Sequence, residues 1–180
     1  MKILKIVLLL IIGFRGVVMA QQNNQSGLKE YDISNPDKKF TDYSNTHMTD
    51  KNADKYIGTW KWKIGTNEFT LKLEKGQKNM GTKEKPWLMD ILKGGFQSIK
   101  NGKESINNLS VEPLIGGTEG NPDKIILYYS DSQQHKLLIF EATLTANNTL
   151  RWTLSKRPQE WQAPISSVPV PVDIELNRIQ

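Results

Sequence analysis

Residues 58–74 read Gly58-Thr59-Trp60-Lys61-Trp62-Lys63-Ile64-Gly65-Thr66-Asn67-Glu68-Phe69-Thr70-Leu71-Lys72-Leu73-Glu74. Trp60, Trp62 and Ile64 alternate with Thr59, Lys61 and Lys63. After the short turn Gly65-Thr66-Asn67, Phe69, Leu71 and Leu73 alternate with Thr70, Lys72 and Glu74. A period of two sends the apolar side chains to one face and the polar ones to the other. The stretch therefore predicts an antiparallel hairpin with one dry and one wet face. Gly58, Trp60, Phe69 and Leu71 are its candidate structural core.

The same texture continues toward the C-terminus. Lys75 to Pro86 reads as a polar, lysine-rich loop and Trp87 to Leu92 as a more continuously apolar strand. Gly94-Gly95 suggests a bulge or sharp bend before Phe96 to Ile99. Asn101-Gly102 is the strongest hairpin-turn dipeptide in the chain, with Glu104 to Leu109 as the return strand. Gly116 to Asp123 reads as a second loop. Strands are expected over Ile125 to Tyr129, Leu137 to Thr145 and Leu150 to Leu154. They are separated by turns at Asp131 to Gln134 and at Asn147-Asn148. Arg157 to Ser167 is irregular. Val168 to Ile179 carries Pro169 and Pro171, which cannot donate to a ladder, so this last strand belongs at an edge or a seam. The class is all-β. About eight strands with short connections make an antiparallel meander, and eight suffice to close a barrel with a small interior. A two-sheet β-sandwich is the competing architecture, and strand counting does not separate the two.

Toward the N-terminus the pattern is lost. Gln21 to Asp54 is rich in Asn, Asp, Ser and Lys, shows neither period, and reads as a polar, partly disordered leader. Its end, Asp50 to Tyr56, has the composition of one or two helical turns, with Thr49 or Asp50 as N-cap. Residues 1–20 have the three parts of an export signal: Lys2 and Lys5, an apolar run from Ile6, and Val18-Met19-Ala20 before a polar stretch. Arg15 interrupts the run, which is short for a bilayer span. The expected organisation is a signal peptide at 1–20, a leader at 21–54 and a barrel domain at 55–180. No transmembrane segment would remain after cleavage. The product would be exported to the periplasm, the outer surface or the medium.

The formal charge of +5 comes from 24 basic and 19 acidic residues among 180. Three of the basic residues sit in the signal, so the mature chain keeps 21 against 19, or +2. That is a poor footprint for nucleic acid. There is no cysteine to form a disulfide, bind zinc, attack a substrate or carry a lipid anchor. With two histidines, a multi-histidine metal site is excluded.

The segment Asp54-Lys55-Tyr56-Ile57-Gly58-Thr59-Trp60 resembles the Gly-X-Trp opening of the first strand in lipocalin-like barrels. Most of the mature length resembles a family of uncharacterised exported bacterial proteins, known only as a domain of unknown function. The matching pieces are this opening, Phe69 to Lys75, Asp90 to Leu109 and Leu150 to Leu154. The resemblance implies export and a lipocalin-like barrel, with Trp60 plugging the closed end and Trp62 pointing into the interior. It supplies no catalytic or binding residues.

Trp62, Trp87, Asp90 and Trp152 are the candidate ligand-binding residues. Tryptophans on strands either fill a core or wall a pocket, and pockets are mostly apolar with a few placed polar groups. Asp90 shares a face with Leu88 and Leu92. That face reads more readily as the wet side of the barrel than as a buried site needing a counter-charge. Glu141 poses the same question. His47 and His135 have no metal-ligating neighbours at useful spacing, and Gly116-Gly117-Thr118-Glu119-Gly120 lacks the lysine and helix of a phosphate loop. Lys75, Lys78, Lys83 and Lys85 read as a solvated basic loop tip. No catalytic constellation, metal site or cofactor is expected. The expectation is a monomeric, non-catalytic exported protein that binds a small apolar ligand. The alternative is an interaction or structural module of the envelope with a filled barrel.

Overall fold

The computed structural model describes residues 27–35, 43–131, 136–155 and 170–179. The expected signal at 1–20, residues 132–134 of the expected turn, His135, and the expected irregular stretch 157–167 lie outside these residues. The elements are β1 (Lys29–Asp32), β2 (Thr46–Thr49), a 3₁₀ helix (Lys51–Tyr56), β3 (Gly58–Ile64), β4 (Asn67–Asn79), β5 (Trp87–Lys100), β6 (Lys103–Asn107), β7 (Leu114–Gly117), β8 (Lys124–Asp131), β9 (Lys136–Leu144), β10 (Thr149–Leu154) and β11 (Ile174–Ile179). No helix among the described residues is long and apolar enough to cross a membrane.

The strands run β3-β4-β5-β7-β8-β9-β10-β11, and β11 returns to pair with β3 through Asn177↔Lys61, Arg178↔Trp60 and Ile179↔Thr59. This closes an eight-stranded antiparallel barrel and sets the sandwich aside. β6 and β7 lie end to end along one edge of β5, so together they fill a single position in the barrel wall. The proline-flanked last strand is the seam.

Alternation decides what goes inside. Trp60, Phe69, Leu71, Leu73, Leu92, Phe96, Leu127, Phe140, Leu150, Trp152 and Leu176 all point inward and are fully buried. Phe140 stacks on Trp152 at 4.4 Å between ring centroids. The 3₁₀ helix plugs one end with Ala53 and Tyr56, capped by Asp50 through its bond from the Asn52 N–H at 3.1 Å. Burial pushes the Tyr56 phenol up to about 12, with the Asp123 and Asp50 charges adding to the effect.

Gly58 and Trp60 act together at that plug. Gly58 has φ +137°, a backbone region that side chains of L-residues rarely enter. This conformation turns the chain out of the helix and into β3. The Trp60 indole N–H then donates to the Tyr56 carbonyl at 2.9 Å. The Arg178 guanidinium covers the outer side of the ring at 4.5 Å.

Three details differ from the sequence reading. The expected loop from Lys75 begins only at Met80, because β4 continues to Asn79 in register with the first half of β5 (Gly76↔Ile91, Lys78↔Met89). Its residues are polar because this ribbon projects beyond the closed barrel, where no core requires apolar alternation. Gly94-Gly95 makes no bulge. A Cβ at Gly94 would lie 2.1 Å from the Lys72 carbonyl oxygen, and one at Gly95 would lie 2.4 Å from that of Asn108. These glycines permit close backbone approach, and the register shift falls at Ser98/Ile99 against β6. Finally, the polar leader supplies β1 and β2, which pair in parallel with each other, and β2 pairs in parallel with the start of β5. Four-residue strands are too short for a period to show.

Candidate functional site

The barrel end opposite the helical plug is bounded by two hairpin turns. Asn101 and Gly102 both have positive φ, as a tight two-residue turn requires. The Gly102 N–H donates to the Thr66 carbonyl at 3.0 Å and the Asn101 N–H to Asn67 Oδ1 at 2.7 Å, which ties the two turns together. Between them and Val170-Pro171 lies a half-open pocket of ≈ 450 Å³. Trp62, Ile99, Val170 and Pro171 supply its apolar wall, and Asn67, Glu68, Ser98, Lys100 and Ser105 its polar groups. The Ser105 hydroxyl donates to the Ser98 carbonyl at 2.9 Å.

Trp62 is held from both sides. Its register partner is Phe69, whose ring lies 5.7 Å from that of Trp152. On the outer face Lys61 and Lys63 both grip Glu68, at 2.6 and 2.5 Å, and their hydrogen bonds hold its carboxyl down at about 2. Trp62 is only half-buried. Its strand neighbour Trp60, two residues deeper, has no exposed surface. Trp152 belongs to the core itself. It is fully buried, and its indole N–H has no hydrogen-bond partner. A buried donor left unmet costs ~1–3 kcal/mol, which is why such groups are rare.

Asp90 and Trp87 lie on the projecting ribbon at the plugged end, on opposite faces of β5. The reading of Asp90 as wet is corrected, since it is 8% exposed. Its carboxylate meets His47 Nε2 of β2 at 2.8 Å and Lys75 Nζ of β4 at 3.1 Å. Lys75 reaches on to Asp54 of the 3₁₀ helix at 2.9 Å, and this bond is the main cause raising its pKa. Gln77 Nε2 is 3.1 Å from His47 Nε2. The cluster ties leader, ribbon and plug together, with both partners of Asp90 supplied by segments whose polar composition reads as leader and loop. The Trp87 indole N–H donates to Met48 Sδ at 2.8 Å, and its ring meets Tyr43 at 4.6 Å on the outer surface. Glu141 also faces outward, toward Lys124 at 3.3 Å and Ser155 Oγ at 2.8 Å.

Trp62 and Trp152 thus share the mouth half of the barrel, linked through Phe69, while Asp90 and Trp87 serve the other end. Sequence reading missed Ser98, Ser105, Val170 and Pro171 as pocket residues. The Asn101-Gly102 turn was the available signal for the first two, because it folds β6 back over the end of β5. Among the described residues, no group of three or more His, Cys, Asp or Glu side chains is placed to hold a metal ion.

Neither a curated protein nor a solved structure matches the chain. The model of the Family of unknown function (DUF6705) matches residues 1–116, which includes the leader, the plug and the barrel wall through β6 to most of β7. The chain belongs to that family of unknown function.

Proposed function

We propose that this is an exported, monomeric binding protein that takes a small, mainly apolar ligand into the barrel mouth and performs no chemistry on it. The reading rests on one observation, the ≈ 450 Å³ pocket walled by Trp62. That volume is within the ~300–1,000 Å³ of small-molecule sites, and apolar walls with a few hydroxyl and carbonyl groups are their usual lining. The tripartite pattern of residues 1–20 supports a location in the periplasm, at the outer surface or in the medium. The unmet Trp152 indole N–H beneath Phe69 is consistent with a ligand or water that brings an acceptor.

The interior below the mouth is filled by Trp60, Phe96, Phe140 and Leu150, and this favours the second reading, an envelope interaction or structural module with a solid barrel. N-phenyl-1-naphthylamine, a neutral planar probe, separates the two. In the binding reading its fluorescence rises saturably with the wild-type protein, and Trp62→Ala weakens binding at least tenfold while Trp87→Ala does not. No saturable rise, together with a bare polypeptide mass in native mass spectrometry of protein from its own host, would give the second reading the field.

A further inference from the structure

A second pocket, of ≈ 280 Å³, lies on the outside of the barrel, where the leader passes the ribbon and β7. Its walls are apolar: Ile33, Met80, Met89, Ile91 and Ile115. Met89 and Ile91 alternate on the outer face of β5. Ile115 joins them because it pairs with Lys93, the next residue on that face. Soft, unbranched thioethers suit a wall that must fit a guest.

Two buried carboxylates also line this pocket, Asp90, which His47 and Lys75 neutralise, and Asp50. Asp50 is 2% exposed, and among the described residues its carboxylate receives neutral donors, the Thr118 hydroxyl at 2.8 Å and the Asn52 N–H at 3.1 Å. None of the ion pairs among the described residues involves it. A carboxylate removed from water without a counter-charge is costly, and it has room for about four hydrogen bonds, of which the described residues supply two.

Gly117 opens the way to it. A Cβ at this position would meet one atom within 4 Å, Asp50 Oδ2 at 4.0 Å, and the glycine has no positive φ that would demand its presence. The adjacent Gly116 differs, because a Cβ there would lie 1.8 Å from the Ile126 carbonyl oxygen. Packing therefore accounts for Gly116. At Gly117 the missing side chain leaves clear space over a buried negative charge. The rim carries Lys78 and Glu119, the latter bound by the Tyr128 hydroxyl at 2.6 Å.

We propose that this outer pocket binds a small primary amine with an apolar body, its ammonium on the Asp50 carboxylate and its hydrocarbon against Met80, Met89 and Ile115. The pocket is separate from the mouth and does not depend on a ligand there. The guest must be cationic to supply the counter-charge, and apolar beyond the ammonium to match the walls.

The test uses the full chain with ¹³C-methyl methionine and 2-phenylethylamine as the probe at neutral pH. The Met80 and Met89 methyl signals should shift saturably, while Met48, which is not part of the wall, should not. 2-Phenylethanol, which has the same body without the charge, should bind at least tenfold more weakly. Asp50→Asn keeps the side-chain shape and should weaken amine binding at least tenfold. If that variant does not fold, Gly117→Val, which covers Asp50 Oδ2, should produce the same loss, and Trp62→Ala should leave binding unchanged. The proposal is overturned by unmoved methyl signals, by equal binding of the alcohol, by wild-type affinity in Gly117→Val, or by loss of binding in Trp62→Ala.

Discussion

Trp60 and Trp62 are two residues apart on one face of one strand, yet their surroundings differ. Trp60 is enclosed by the plug, by Leu71 across the strand pair and by Arg178 over its ring. Removing it leaves a cavity that this rigid setting cannot close, and Trp60→Ala should cost ~3–5 kcal/mol. A domain of this size has only ~5–15 kcal/mol in hand, so the variant would be barely folded. Trp62 already faces a pocket on one side, so less packing is lost, and Trp62→Ala should cost clearly less in urea unfolding. Equal costs would mean that the mouth is packed as tightly as the plug. The inward direction of these residues, and of Phe69 and Leu71, was legible from alternation alone. The difference between the two tryptophans was not, because it depends on elements distant in sequence. Asp90 shows the same limit. Its neighbours Leu88 and Leu92 gave its face, but its partners His47 and Lys75 come from segments without any readable period.

The elements that sequence reading captured least well are those outside the barrel wall. β4 was cut short at Glu74 because polar composition resembles a loop, although a strand with no core beneath it has no need to alternate. The 3₁₀ helix was legible, since Asp50 before Lys51-Asn52-Ala53 is a good cap, but its role as a plug was not. That role has a consequence at high pH. The Tyr56 phenol donates to the Pro122 carbonyl at 3.3 Å, and its folded-state value of about 12 stands above the ordinary 10.0. A proton held more tightly in the folded state contributes stability that is fully present below pH 10 and is lost as the pH rises through 12. Chemical unfolding followed across that window should show a falling stability. In Tyr56→Phe the part due to this group should be absent, so the two curves converge as the pH rises. Parallel curves would mean that the plug opens before the phenol ionises.

At the scale of the whole molecule, the barrel depends on the contact between β3 and β11. This seam is registered at three residue pairs, against seven between β3 and β4. Removing residues 174–179 would expose the facing edges of β3 and β10 and uncover Leu150. Such a truncation should lose the single cooperative unfolding transition and bind the dye 1-anilinonaphthalene-8-sulfonate. A truncated chain that still unfolds in one sharp step would show that the remaining strands hold together without closure. The meander and the number of its strands could be read from the sequence, but the closure could not, because a seam is a pairing between the two ends of a pattern and leaves no local mark.

The seam also sets when the fold can form. Its two strands are the first and the last of the barrel, and most of the described chain lies between them. Bringing such distant segments together costs chain entropy before any contact repays it, which puts barrels of this kind among the slower folders, in the ~ms–s range. A chain emerging residue by residue from the ribosome can pair β3 with β4 early, but the other edge of β3 has no barrel partner until β11 appears. Until then the barrel cannot close, and its two end strands each keep one edge unpaired.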